Sequence, residues 1–191
     1  MTTATQNSFT AHDVSSAPEG SQASLKALQS SSGFIPNLMA AMAESPATVT
    51  GYLWLSQHFA KQTALDTAEQ LVVEIVTSIV NDCRYCVAAH STLAVKHRVD
   101  GDLVEALRAE RAPADPKLAA LADFTRVAAS TGGRVSEAEL GAFFAAGYTR
   151  AQALDVLLGI TVKTLSNAAD HLTHPALDKA FSGAAWSPSG R

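Results

Sequence analysis

The chain has 191 residues, of which 47% are hydrophobic, and a formal net charge of −4. This length supports one domain with a sizeable core, and the apolar content argues against global disorder. The 14 Lys and Arg residues are scattered, which argues against a nucleic-acid partner, and no apolar run approaches the ~18 residues needed for a membrane span.

Residues 1–22 are rich in Ser, Thr, Ala and Gln and read as a flexible N-terminal tail. They lack the basic and apolar regions of a secretory signal, so the expected location is the cytoplasm, where thiols stay reduced. A single helical domain is expected over 23–185, followed by a short C-terminal tail over 186–191. Ser45-Pro46 places a cap residue before a proline at the first helical position. Asp66 lies three residues before Glu69, close to a capping box. The β-branched stretch Val72–Val80 can pass for a strand, but its cap and length favour a buried helix.

Asn81 and Asp82 interrupt that apolar run as cap residues, which would put Cys83 in the first turn of a new helix. Asp115-Pro116 repeats the cap-then-proline device. Ser136 to Glu139 is a capping box as written, and Thr149 to Gln152 is another. Gly132-Gly133, Gly147 and His174-Pro175 mark stops. In the long final helix, Leu154, Leu157, Leu158, Val162, Leu165, Ala169 and Leu172 form a stripe expected to face the core. The fold class expected from these signals is all-α.

The two cysteines form one Cys-x-x-Cys, at 83 and 86, with His90 four residues further on. In a reducing compartment this pattern points to redox or metal chemistry. Helical spacing puts Cys83 and Cys86 on one face, with His90 one turn below Cys86. A helix N-terminus favours a thiolate, and a His at that distance can take the thiol proton or pair with the thiolate. Such a constellation has a nucleophile, a resolving thiol and a base, and needs no metal or organic cofactor. The bland alternative is a pair of buried cysteines packing as small hydrophobes beside a core His. A second alternative is a Zn²⁺ site built from Cys83, Cys86 and His90, with His171 or water as fourth ligand.

The stretch Val80–Ser91, with its Cys-x-x-Cys-x-x-x-His, resembles the signature of the carboxymuconolactone decarboxylase superfamily. Within it, the alkylhydroperoxidase D (AhpD-like) branch is the nearer likeness. Gly33–Leu38 followed by Ser45-Pro46 is similar to the usual entry segment. Ser166–Leu172 and then Pro175–Asp178 are similar to the exit segment, so the likeness covers roughly residues 25–182. It implies an AhpD-like helical bundle that assembles as a homotrimer or homohexamer. It also implies reduction of a hydroperoxide substrate, with Cys86 attacking the peroxide, Cys83 resolving and His90 activating Cys86. A reducing protein partner of dithiol or lipoyl type would then reopen the disulfide.

Two departures stand out. The branch usually carries a relay Glu twelve residues before the first cysteine, where this chain has Leu71, and often a His between the cysteines, where it has Tyr85. Glu74 falls near the same helical face as Leu71, either as a displaced relay carboxylate or as an ordinary surface or interface acid. Decarboxylase or lactone chemistry is suggested by the superfamily name alone, and a structural assembly role with vestigial thiols stays open. Trp54, Phe59, Phe143, Phe144 and Phe181 read as core or subunit-interface anchors. His171 reads as a packing or hydrogen-bonding residue, and His12, His58, His97 and His174 have no evident partners.

Overall fold

A computed structural model describes residues 9–188. Among them there are nine α-helices and no strand: α1 Glu19–Ser32, α2 Asn37–Met42, α3 Pro46–Gln62, α4 Thr67–Val80, α5 Arg84–Lys96, α6 Gly101–Arg108, α7 Pro116–Thr131, α8 Glu137–Ala145 and α9 Arg150–Thr173, with a 3₁₀ helix at Lys179–Ala184. The all-α expectation therefore holds.

Starts and stops follow the local chemistry. Ser45, Asp66, Asp115, Ser136 and Thr149 each accept a backbone N–H of the first turn, and the Asp66, Ser136 and Thr149 caps are complete capping boxes. Helix α7 ends on Gly132 and α9 on His174, both left-handed. The β-branched stretch 72–80 lies wholly inside α4, whose buried face includes Val72, Val73, Ile75 and Val76.

Helix α4 is the hub and packs on α5, α7 and α9, while α3 lies across α9. The main core runs from Phe59 through the α4 valines to Leu121, Phe124, Phe143, Val156 and Val162. Phe143 is stacked between Phe124 and Tyr148, at centroid distances of 4.2 and 4.4 Å. A second apolar cluster surrounds the cysteines and includes Leu38, Met42, Val49, Tyr85 and Phe181.

The ordered fold reaches beyond both expected tail boundaries. Helix α1 starts at Glu19, within the stretch 1–22. Ala17 is buried, Ser21 donates to the Ala43 carbonyl, and His12 pairs with Glu44 at 2.8 Å. Residues 1–8 of the expected tail lie outside the described residues. At the other end Trp186 is buried and donates its indole N–H to the Arg108 carbonyl at 2.8 Å, while the Arg108 guanidinium donates to the Ala184 and Ala185 carbonyls. This C-terminal strap packs over α5, and those hydrogen bonds tie its end to Arg108 at the end of α6.

The stripe expected on α9 holds in part: Val162 is buried and Leu158, Leu165 and Ala169 pack against the two core clusters, but its other three members face outward. Leu154 and Leu172 are 68% and 65% exposed, and Leu157 is exposed too. Besides Val162, the most deeply buried positions of the inward face are Val156, Gly159, Lys163, Ser166 and Asn167. Gly159 lets α9 approach α3 and α4 closely. A Cβ there would stand 2.6 Å from Phe59 Cε2 and 2.7 Å from Val73 Cγ1. Gly159→Ala is therefore expected to lower the melting temperature, because ~1–3 kcal/mol of overpacking outweighs the ~1 kcal/mol gain in helix propensity. Thermal unfolding of the variant followed by circular dichroism checks it, and an unchanged or raised midpoint contradicts it.

Candidate active site

The cysteines owe their position to a tight junction between α4 and α5. The Cys83 N–H donates to the Ser78 carbonyl, and Asp82 between them takes a left-handed φ of 53° that Asp tolerates. The cap of α5 is Cys83 itself rather than Asp82, because its own sulfur accepts the Cys86 N–H at 3.3 Å. Asn81 reinforces the junction by donating its amide N–H to Asn167 Oδ1 on α9, at 2.9 Å. Both thiols are free and both are buried.

Four elements then converge. Helix α5 brings Cys83, Cys86 and His90, α4 brings Glu74, α9 brings Lys163, Ser166 and Asp170, and the strap brings Asp178. Glu74 Oε2 lies 2.9 Å from His90 Nδ1 in a bent contact, so Glu74 is not a surface acid but the partner of the site histidine. On the opposite side of the ring, Lys163 Nζ lies 2.7 Å from Nε2. An ammonium can only donate, so Nε2 accepts and the ring proton sits on Nδ1, facing the carboxylate. Each partner favours the same tautomer.

His90 therefore does not meet the Cys86 sulfur by a direct hydrogen bond, as the helical spacing suggests. Lys163, which the Cys-x-x-Cys-x-x-x-His pattern does not include, occupies Nε2. It is 1% exposed. An isolated buried ammonium is expensive, and this one is offset by the charges around it. Burial works against its protonation, yet the negative charge on Cys86, with Tyr52 and Glu74, holds its pKa above that of an ordinary lysine.

The two sulfurs are driven apart in acidity. The adjoining Cys83 side chain, aided by the Lys163 ammonium and the Ser166 hydroxyl 3.9 Å away, holds Cys86 well below an ordinary thiol despite its burial. The same pairing, together with burial and the Asp170 carboxylate, pushes Cys83 up. Cys83 donates to Asp170 Oδ2 at 3.3 Å. For Glu74, burial is overcome by His90 and Lys163, so its carboxyl stays below the usual range. Tyr85, between the cysteines, is fixed by its hydroxyl to Asp178, which also accepts the Asn37 N–H and so ties the strap to α2.

A cavity of about 440 Å³ opens on this array. Tyr52, Phe59, Leu71, Tyr85 and Phe181 line its apolar part, while Cys86, His90, Lys163 and Glu74 supply the polar wall. Cys86 faces it and Cys83 does not. On the other side of the dithiol a second cleft of about 380 Å³ is lined by Arg84, Asp170, His174 and Trp186.

The zinc alternative is not assembled. His171 Nε2 sits at 2.7 Å from the Asn81 carbonyl, and a cation at His90 would have to displace the Lys163 ammonium. Among the described residues no three His, Cys, Asp or Glu side chains group as metal ligands. His58 stacks on the exposed Trp54 ring, with centroids 3.7 Å apart. Among the described residues no helix is long and apolar enough to cross a membrane.

Fold and site together define an all-helical dithiol protein with a buried charged cluster beside its more acidic cysteine. A model of the carboxymuconolactone decarboxylase family matches residues 43–129, from just before α3 to near the end of α7. That stretch, less than half of the chain, is similar to the family and contains the Cys-x-x-Cys-x-x-x-His. One similar solved structure is an alkylhydroperoxidase AhpD core, an uncharacterized peroxidase-related protein from Ralstonia eutropha JMP134, with 21% identity, a TM-score of 0.80, and 90% of this chain and 92% of that chain covered. Another is an uncharacterized peroxidase-related protein from Silicibacter sp. TM1040, with 21% identity, a TM-score of 0.77, and 96% and 98% covered. A variant of the debrominase Bmp8 in complex with 2,3,4-tribromopyrrole has 15% identity, a TM-score of 0.78, and 92% and 94% covered. At these identities the likeness establishes the fold. No curated protein matches the chain.

Proposed function

We propose that the chain is a thiol-dependent hydroperoxide reductase in which Cys86 attacks the peroxide and Cys83 resolves. The observation that carries this reading is the asymmetry of the dithiol: the cysteine with the depressed pKa is the one that faces the cavity. The peroxidase-related structural neighbours agree with it.

In this mechanism the Cys86 thiolate attacks the distal peroxide oxygen. The O–O bond breaks, an S–O bond forms, and the alkoxide leaves with a proton from the Lys163 ammonium. Lys163 regains a proton from solvent through the cavity, while Glu74 and His90 hold the amine in place. Cys86 is then a sulfenic acid. The Cys83 sulfur displaces hydroxide from it, closing a disulfide, and the hydroxide takes a proton from the recharged Lys163 ammonium and leaves as water. A reduced partner of dithiol or lipoyl type reopens the disulfide by thiol exchange. A reducing cytoplasm would supply such a partner.

The apolar part of the cavity suits an alkyl or aralkyl hydroperoxide over hydrogen peroxide. Exposed Leu154, Leu157, Leu172 and Trp54 supply apolar surface for a homotrimer or homohexamer, and sedimentation velocity showing only monomer at working concentration would contradict that assembly.

The reading is tested by adding cumene hydroperoxide to the reduced protein and counting free thiols. Two thiols should disappear for each hydroperoxide reduced, with an intramolecular disulfide as the product. Survival of both thiols overturns the reading.

A further inference from the structure

We propose that Asp170 is the proton acceptor for Cys83, a catalytic residue of the disulfide-forming step, and that the cleft lined by Arg84, His174 and Trp186 is the route by which that proton leaves. The assignment rests on the reading of Cys83 as the resolving thiol.

The geometry separates two proton systems. Glu74, His90 and Lys163 stand on the Cys86 side and line the cavity, whereas Asp170 contacts only the other sulfur, at 3.3 Å from Cys83 Sγ. Asp170 follows Lys163 and Ser166 at helical spacing, so α9 delivers both systems from one face. It is half-buried and borders the second cleft. The Cys83 sulfur also accepts the Cys86 N–H at the start of α5, a contact that strengthens as negative charge develops on it.

Timing follows from the same contacts. The main cause holding Cys83 protonated is the neighbouring Cys86 sulfur, and burial raises the Asp170 carboxyl above the usual carboxylate range. Oxidation of Cys86 to the sulfenic acid removes the negative charge beside Cys83, whose S–H is already directed at Asp170. Its proton then passes to Asp170 as its sulfur forms the S–S bond and the S–O bond of Cys86 breaks. On reduction, the departing Cys83 thiolate takes the proton back. General-base assistance of this kind is worth ~10²–10⁴-fold.

The test uses 4,4′-dithiodipyridine on the reduced full-length protein, which makes it independent of peroxide chemistry. Cys86 releases one thiopyridone in forming a mixed disulfide, and Cys83 releases the second in closing the ring. Asp170→Asn should lower the ratio of the second rate to the first by on the order of 100-fold, and Asp170→Glu should recover most of it.

The wild-type pH profile of the second release is a readout that needs no variant. The charged groups facing Asp170 are Cys83, Cys86 and Arg84 from α5, with His171 and His174 from the end of α9. With Asp170 as base the profile is flat above its titration, whereas the Asn variant rises about tenfold per pH unit as free thiolate becomes the reactant. A wild-type profile that itself rises tenfold per unit through neutral pH, or an Asn variant whose second release matches wild type, overturns the proposal. If both releases behave as expected but no hydroperoxide is consumed, the peroxidase reading fails and the Asp170 assignment stands.

Discussion

Cys86→Ser is expected to abolish hydroperoxide consumption, a loss on the order of 10³-fold or more, because no other sulfur of the dithiol faces the cavity. A buried serine replaces a sulfur of similar shape, so the fold is retained and the loss reads as chemistry. Cys83→Ser should behave differently. It keeps the attacking sulfur, reduces about one equivalent of hydroperoxide, and then stalls as a sulfenic acid open to further oxidation. Both results come from a single assay of peroxide remaining against time. Equal turnover in Cys86→Ser and wild type would contradict the assigned division of labour.

Lys163→Met carries the second large effect. Methionine fills the buried volume but removes the ammonium that helps hold Cys86 below an ordinary thiol. The sign is fixed by the direction of that shift. In the wild type Cys86 is held well below an ordinary thiol. In the variant Cys86 titrates nearer the usual thiol range of ~8.5, so the acid limb of the rate profile moves to higher pH. At neutral pH the rate of alkylation by iodoacetamide, and of peroxide reduction, should fall by ~10²-fold, since each unit of pKa is a factor of ten in thiolate. The deficit should shrink as the pH is raised above the thiol range. Removing one partner leaves the buried Glu74 and Cys86 charges without their cation, so the variant is expected to be less stable, and circular dichroism at the assay temperature establishes that it is folded before the rates are compared. An alkylation profile identical to wild type would show that Lys163 does not act on Cys86.

Much of the fold and part of the site are legible in the amino-acid sequence. Every helix start that combines a cap residue with Pro, or with Glu or Gln three residues on, lies where expected, because capping is local chemistry. Cys83, Cys86 and His90 fall together by spacing on one helix. Glu74 has two readings in the sequence, since its contact with His90 depends on how α4 packs on α5.

Helix α9 misleads for a physical reason. Its leucines give a convincing apolar stripe, yet Leu154 and Leu172 face outward and the inward face turns polar toward its C-terminal end. The signal that is present is Lys163, Ser166, Asn167 and Asp170, spaced at three, four and seven residues. A polar stripe of that period inside an apolar helix marks a buried site as surely as an apolar one marks a core. The cap of α5 also moves by one residue, from Asp82 to Cys83, because a sulfur can accept the first-turn N–H and leave Asp82 to make the left-handed turn.

The central claim is that Cys86, and not Cys83, is the sulfur that meets the oxidant. It is tested most directly by exposing Cys83→Ser and Cys86→Ser to one equivalent of cumene hydroperoxide in the presence of dimedone, and weighing the intact proteins. The account predicts a dimedone adduct on the Cys83→Ser protein alone, formed at the rate of peroxide loss. An adduct of equal yield on the Cys86→Ser protein, or none on either, would contradict it.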